Sequence, residues 1–217
     1  MATSIDLSLT VVNNVSGGEV EHFIFYHESP NSKPNADVLV WHTLNVQTGT
    51  RKSFPVAFDT EYTASVFHDD DAIETSQSIS ANNGEELIVT KHVKSDAPIL
   101  RKGLTTNPFA TYVTVRNEYE GIKSVIVQAE KNDKPLVQQT LIELHDCAQF
   151  QIGSFIHMAW NSDLKEGNFF KRETYSSSSQ KIDLIDPKTK LPATNIIVTV
   201  TNNENGIEME IDYPSSN

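Results

Sequence analysis

Three features of the 217-residue sequence predict an all-β fold, an antiparallel, Greek-key-like β-sandwich with an imperfect internal duplication. Apolar residues alternate with polar ones through most of the chain, the period of a half-buried strand. No stretch of ordinary helix length carries a 3.6-residue period. The order of strand-like segments also starts again after residue 110, which marks a repeat.

Taken in order, Ser8 to Asn13 alternate and run into the turn-prone Asn13-Asn14-Val15-Ser16-Gly17-Gly18. Phe23 to Tyr26 form the next strand, and the Pro/Asn-rich Ser29 to Asn35 a loop. Val38 to Trp41 is a continuous apolar run, as in a strand buried on both faces. Thr48-Gly49-Thr50 interrupts the pattern where glycine offers positive φ. Val38 to Phe67 is therefore expected to fold as a hairpin, with Phe54, Val56 and Phe58 on one face and Tyr62, Ala64 and Val66 continuing the alternation. Ser76 to Ser80 and Glu86 to Thr90 flank Asn82-Asn83-Gly84, a second hairpin signal. Residues 92–110, with two prolines and a basic cluster, read as a connector.

After the connector, Tyr112 to Asn117 resemble Ser8 to Asn13, and Val125-Ile126-Val127 answer Phe23-Ile24-Phe25. Leu136 to Leu144 answer the strand around Trp41, and Phe150 to Trp160 answer Phe54 to Phe67. Ile196 to Ile211, with an Asn-rich turn, answer the hairpin at Asn82 to Gly84. The second copy adds an excursion, Asn161 to Lys181, containing Ser176-Ser177-Ser178-Ser179. The expected organisation is a first β repeat over 1–91, a connector over 92–110 and a second β repeat over 111–217. The two are expected to pack as one pseudo-symmetric sandwich, because a small all-β half excludes water poorly by itself.

Seventeen Lys and Arg against twenty-nine Asp and Glu give a net charge of −12, which disfavours nucleic acid and anionic membrane surfaces as partners. Cys147 is the only cysteine, so no internal disulfide forms, and it is expected to fill a small buried space. No basic segment leads into an apolar one at the amino terminus, and no apolar run reaches the ~18–20 residues that span a bilayer. A cytoplasmic protein is the expectation.

No Walker loop, GxGxxG, GxSxG elbow or zincin helix occurs. His68-Asp69-Asp70-Asp71 with Glu74 concentrates hard oxygen ligands but lacks the spacing of an EF-hand loop, so a solvated acidic turn is expected. His22, His27, His42, His68, His92, His145 and His157 follow no metal-binding spacing, and neither metal nor cofactor is expected. His145-Asp146-Cys147 places a thiol beside an imidazole and a carboxylate, but neighbours on a strand face opposite sides and cannot cooperate as nucleophile and base. Trp41, His42, Tyr62, Phe155, His157 and Trp160 occupy corresponding parts of the two copies and are the candidate ligand-binding set, since aromatic walls with a few polar atoms line small-molecule and sugar pockets.

The strand ending in Asn13, the FIFY of Phe23 to Tyr26, the WHTLNVQTG of Trp41 to Gly49 and the aromatic spacing of Phe54 to Val66 together resemble the RhiA-like proteins over the first third of the chain. That resemblance implies a β-rich soluble protein and supplies no catalytic residues. Two functions follow as expectations. The first is a soluble β-sandwich module that binds a small molecule or glycan. The alternative is a cofactor-independent enzyme of the isomerase or cyclase type, using a pocket between the β repeats and acid–base groups drawn from His42, Asp59 and His157.

Overall fold

The alternating stretches do become strands, but several of them pair with strands distant in sequence: β1 with β17 and β4, β2 with β14, and β8 with β10. A computed structural model of the chain describes residues 6–17, 20–28, 37–67, 73–121, 124–141, 143–160, 163–175, 178–204 and 206–214. The first half contains β1 (Asp6–Asn13), β2 (His22–Tyr26), β3 (Asp37–Asn45), β4 (Thr50–Ala57), β5 (Glu61–Phe67), β6 (Ile73–Thr75), β7 (Ile79–Ser80), β8 (Glu85–Lys91) and β9 (Pro98–Thr106). The second contains β10 (Val113–Asn117), β11 (Val125–Lys131), β12 (Lys134–Leu141), β13 (Cys147–Phe150), β14 (Phe155–Trp160), β15 (Phe169–Lys171), β16 (Gln180–Asp183), β17 (Asn195–Asn203) and β18 (Gly206–Asp212). A single 3-10 turn, Arg172–Thr174, is the only helical element among the described residues, and no helix is long and apolar enough to cross a membrane.

The chain forms two compact units, Met1–Phe58 with Gly153–Asn217, and Asp59–Ile152. In the first, a four-stranded sheet of order β18-β17-β1-β4 faces a five-stranded sheet of order β15-β3-β2-β14-β16. The ring of Phe54 on β4 meets Phe25 and Trp41 of the other sheet, with centroids 4.8 and 6.0 Å apart. In the second unit the orders are β13-β10-β8-β9 and β12-β11-β5-β6, with β7 also on β5. One core joins these sheets, Tyr62, Val66 and Val127 from one packing with Leu87, Val115 and Phe150 from the other. Each unit is thus a small sandwich, inner faces apolar as period-two patterning requires.

The two units share one connectivity. In the first, β18 is antiparallel to β17, β17 parallel to β1, and β1 antiparallel to β4. In the second, β9 is antiparallel to β8, β8 parallel to β10, and β10 antiparallel to β13. The order β3-β2-β14-β16 is matched by β12-β11-β5-β6. Individual atoms follow the same plan. Asn13 ends β1 and Asn117 ends β10, and both are buried. Asn13 Nδ2 donates to the Val46 carbonyl at 2.8 Å and Asn117 Nδ2 to that of Glu143 at 2.9 Å. Each Oδ1 accepts the N–H two residues on, from Val15 at 3.1 Å and Tyr119 at 3.0 Å. The carbonyls of the same two asparagines accept N–H bonds from Gly49 and His145.

This equivalence assigns β1 to β9 to one repeat and β10 to β18 to the other, with an exchange between them. The first unit takes β1 to β4 from the first repeat and β14 to β18 from the second, and the second unit takes the remainder. The chain passes from one unit to the other at Phe58/Asp59 and at Ile152/Gly153, between corresponding strands of the two repeats.

Several expectations change accordingly. Val38 to Phe67 is not a hairpin: β3 pairs with β2 and β15, β4 with β1, so the Gly49 turn carries the chain from one sheet to the other. The flanks of Asn82 to Gly84 also part company, β7 joining β5 while β8 joins β9 and β10. Gly84, at φ 88°, turns the chain there and bonds through its N–H and carbonyl to Tyr112 and Asn107. The hairpin of β17 and β18 therefore corresponds to β8 and β9. Residues 92–110, read as a connector, contain β9, a strand disguised by its Arg101-Lys102-Gly103 interruption. The register slips opposite that point, where a Cβ on Gly103 would lie 2.5 Å from the Glu86 carboxylate. Contacts separate two sandwiches at 58/59 and 152/153, where a single shared sandwich with a boundary over 92–110 was expected.

Candidate functional site

The candidate ligand set does not come together. Trp41 is 2% exposed and Tyr62 1% exposed, each in the core of a different unit. Alternation with the outward Val38 and Val40 turns the Trp41 indole inward, and the register shift between β2 and β3 at this residue leaves His42 on the same inner face. His42 follows it, its ring 4.4 Å from Phe54 and its Nδ1 2.6 Å from Glu166 Oε1. Asp59 lies where the chain enters the second unit, its carbonyl accepting a bond from Lys131 Nζ at 3.2 Å. Burial pushes that lysine down to about 8, the Asp59 charge opposing the change. Trp160 is half-buried at the far end of β14, with the parity of Ile156 and Met158.

Phe155 and His157 do meet. They point from β14 to the outer face of the five-stranded sheet, the face that bears Ile24, Tyr26, Val38, Val40, Ala159 and Phe170. In a sandwich the outer face ordinarily stays polar. The second unit obeys this, with Gln128 bonded to Gln138 at 2.9 Å, Thr63 to Glu130 at 2.5 Å and Ser65 to Thr75 at 2.9 Å. In the first unit the excursion between β14 and β16 covers the apolar face. It contributes Leu164 and Tyr175 to the cluster and adds β15 to the edge of β3.

The His157 ring stacks on Tyr26, with centroids 5.4 Å apart and planes at 20°. Phe155 and Phe170 meet this stack edge-on at 5.6 and 5.0 Å, and Lys181 Nζ lies 4.6 Å over Phe155. Beside it, Arg172 Nε pairs with Glu28 Oε2 at 2.7 Å, the Glu28 side chain 9% exposed. The residue-level pattern that builds this site is local: β2 and β14 are adjacent antiparallel strands, so Tyr26 and His157 are direct cross-strand partners.

Two polar atoms in this cluster, Tyr26 Oη and His157 Nδ1, are buried without a hydrogen bond among the described residues. Ser179 approaches the Tyr26 hydroxyl without the geometry of a formed bond. Burial pushes that hydroxyl up to about 12, the neighbouring Ser179 offsetting part of the rise and Glu28 adding to it. Burial also brings His157 down to about 4, helped by the positive charges of Arg172 and Lys181 and opposed by Asp183. His157 is therefore neutral at pH 7, with one nitrogen a donor and the other an acceptor.

Other chemical groupings offer less. In the second unit a recess of about 430 Å³ runs along Ser76, Gln77, His92, Ser95, Ile99 and Leu100. Several of its polar atoms are already engaged: Ser76 Oγ bonds to Ala64 N and Gln77 O, and His92 Nδ1 to Lys94 N and Ser95 Oγ. Cys147 is exposed, not the buried filler expected, because it opens β13 with its side chain away from the core. His145 occupies the preceding turn, and the two residues share no catalytic geometry. The acidic run His68 to Asp71 lies outside the described residues. Among the described residues no three His, Cys, Asp or Glu side chains gather as metal ligands. Tyr26, Glu28, Phe170 and Arg172 escaped the sequence reading, whose one pointer to them was the extra excursion of the second copy. In comparisons with known proteins the chain matches no family model, no curated protein and no solved structure.

Proposed function

We propose that the protein is a binding module whose ligand, a glycan or small polyhydroxylated molecule, sits against the half-buried Phe155 and His157 at the margin of the covered outer face of the first unit and reaches past them to the buried Tyr26 hydroxyl. The observation that carries this reading is the pair of buried, unbonded polar atoms on two stacked rings. Buried polar groups ordinarily find partners, and a hydroxyl-rich ligand offers both a donor and an acceptor to this pair. The nearby ions are already neutralised, Glu28 by Arg172 and Lys181 by Asp183, which favours a neutral ligand over a charged one.

The test is a thermal-shift screen of glycans and small polyols on the wild-type protein and Tyr26→Phe. Removing a hydroxyl that makes no bond leaves the melting temperature of the free protein unchanged or raised. Binding through that hydroxyl predicts a ligand that raises the wild-type melting temperature but shifts Tyr26→Phe far less. A screen without hits, or an equal shift in both proteins, refutes the proposal.

The enzyme reading retains one supporting observation, the His42–Glu166 contact, since a carboxylate on Nδ1 orients an imidazole for acid–base work. Mass analysis of the screened compounds separates the two readings, because a binding module returns every compound unaltered.

A further inference from the structure

Among the described residues, β4 and β18 close the two ends of the sheet β18-β17-β1-β4 without a further strand partner, and the two ends carry opposite charge. At one end, β4 presents Arg51 on the outer face of the sheet, the face that carries the β18 carboxylates, and Lys52 on the inner side with Phe54, both exposed and in no ion pair among the described residues. At the other end, Glu208, Glu210 and Asp212 alternate along the exposed face of β18, and neither Glu210 nor Asp212 is in an ion pair among the described residues. The half-buried Ile207, Met209 and Ile211 occupy the other face of β18, an apolar row left incomplete at the sheet margin. The edge strand β9 of the second unit differs, since its Arg101 and Lys102 are paired with Glu118 and Glu85.

We propose that the chain associates head to tail with a second copy of itself, the β4 edge of one molecule joining the β18 edge of the next. An edge strand carries unpaired N–H and C=O groups that accept another strand. Charges on an edge ordinarily prevent this, and here they prevent only like pairing: two β4 edges oppose cations to cations, two β18 edges oppose carboxylates to carboxylates, and β4 with β18 attracts. Because β18 opposes β17, β17 runs with β1 and β1 opposes β4, the two edges point the same way. A copy added by translation therefore meets its neighbour as a parallel pair and extends the sheet. Pro55 lacks an N–H and confines the joined segment to Thr50–Phe54. Such a heterologous contact leaves a free edge at each end, so the assembly grows into short chains.

Sedimentation velocity over a concentration series tests this, at physiological ionic strength so that the long-range repulsion of a −12 chain is screened. The wild-type protein should gain mass progressively with concentration. Arg51→Glu with Lys52→Glu, or Glu210→Lys with Asp212→Lys, should weaken association by roughly tenfold or more. The molecule carrying all four reversals should associate again, because its edges are complementary once more. A wild-type protein that stays monomeric up to its solubility limit, or assembly indifferent to either pair of reversals, overturns the proposal.

Discussion

Protonation of one partly buried imidazole links the candidate site to stability. His157 is held down to about 4, against an ordinary 6.5, by burial and by the nearby Arg172 and Lys181. Between those two values the unfolded chain binds more protons at this position than the folded protein does, so stability falls as the pH drops through the window and is fully present above it. His157→Gln removes the difference. Calorimetry from pH 6.5 to 4 should show a shallower loss of melting temperature in the variant than in the wild type. Parallel slopes would mean that His157 is not the residue responsible.

At the scale of elements, the two turns that carry the chain between sheets differ in one instructive way. Gly49 follows β3 and His145 follows β12, both at φ 73°, and both donate their N–H to the asparagine that ends the opening strand of the repeat. The left-handed region costs a residue with a Cβ roughly 1 kcal/mol, a cost glycine escapes. His145→Gly should therefore raise the urea midpoint by up to about 1 kcal/mol in stability, and Gly49→Ala should lower it by a similar amount. An unchanged midpoint in both would show that the turns relax to other conformations. The excursion that covers Ile24, Val38 and Val40 is the other element peculiar to one copy, and it turns a face that is solvated in the second unit into a second apolar layer in the first. Duplication supplied two like sandwiches, and this one insertion makes them chemically different.

Across the whole molecule, strand exchange makes the repeats mutually dependent. The candidate site itself takes Tyr26 and Glu28 from the first repeat and Phe155, His157 and Arg172 from the second. Between β9 and β10 the chain exposes Phe109, 92% accessible, as a natural point of cleavage by chymotrypsin. Cutting there severs the repeats covalently but leaves each sandwich with all its strands. The nicked protein should elute as one species on a sizing column and separate into two fragments only in denaturant. Separation under native conditions would contradict the exchange, which otherwise requires breaking both the β1/β17 and the β8/β10 pairings.

The sequence by itself determined the all-β character, most of the strands, the turn asparagines and glycines and the recurrence of the first copy in the second, because alternation and positive φ are local properties. Asn13 and Asn117 were legible as strand ends, and Phe54 and Phe150 as equivalent positions. Only the tertiary structure decided which strands pair. Pairing depends on closing long loops, and a period-two pattern says which face is buried without naming the strand that buries it. For that reason the apparent hairpin at Gly49 proved to be a passage between sheets. Trp41 and Tyr62, plausible as ligand walls, went to the core, and the site formed instead where Tyr26 and His157, distant in sequence, became neighbours across β2 and β14.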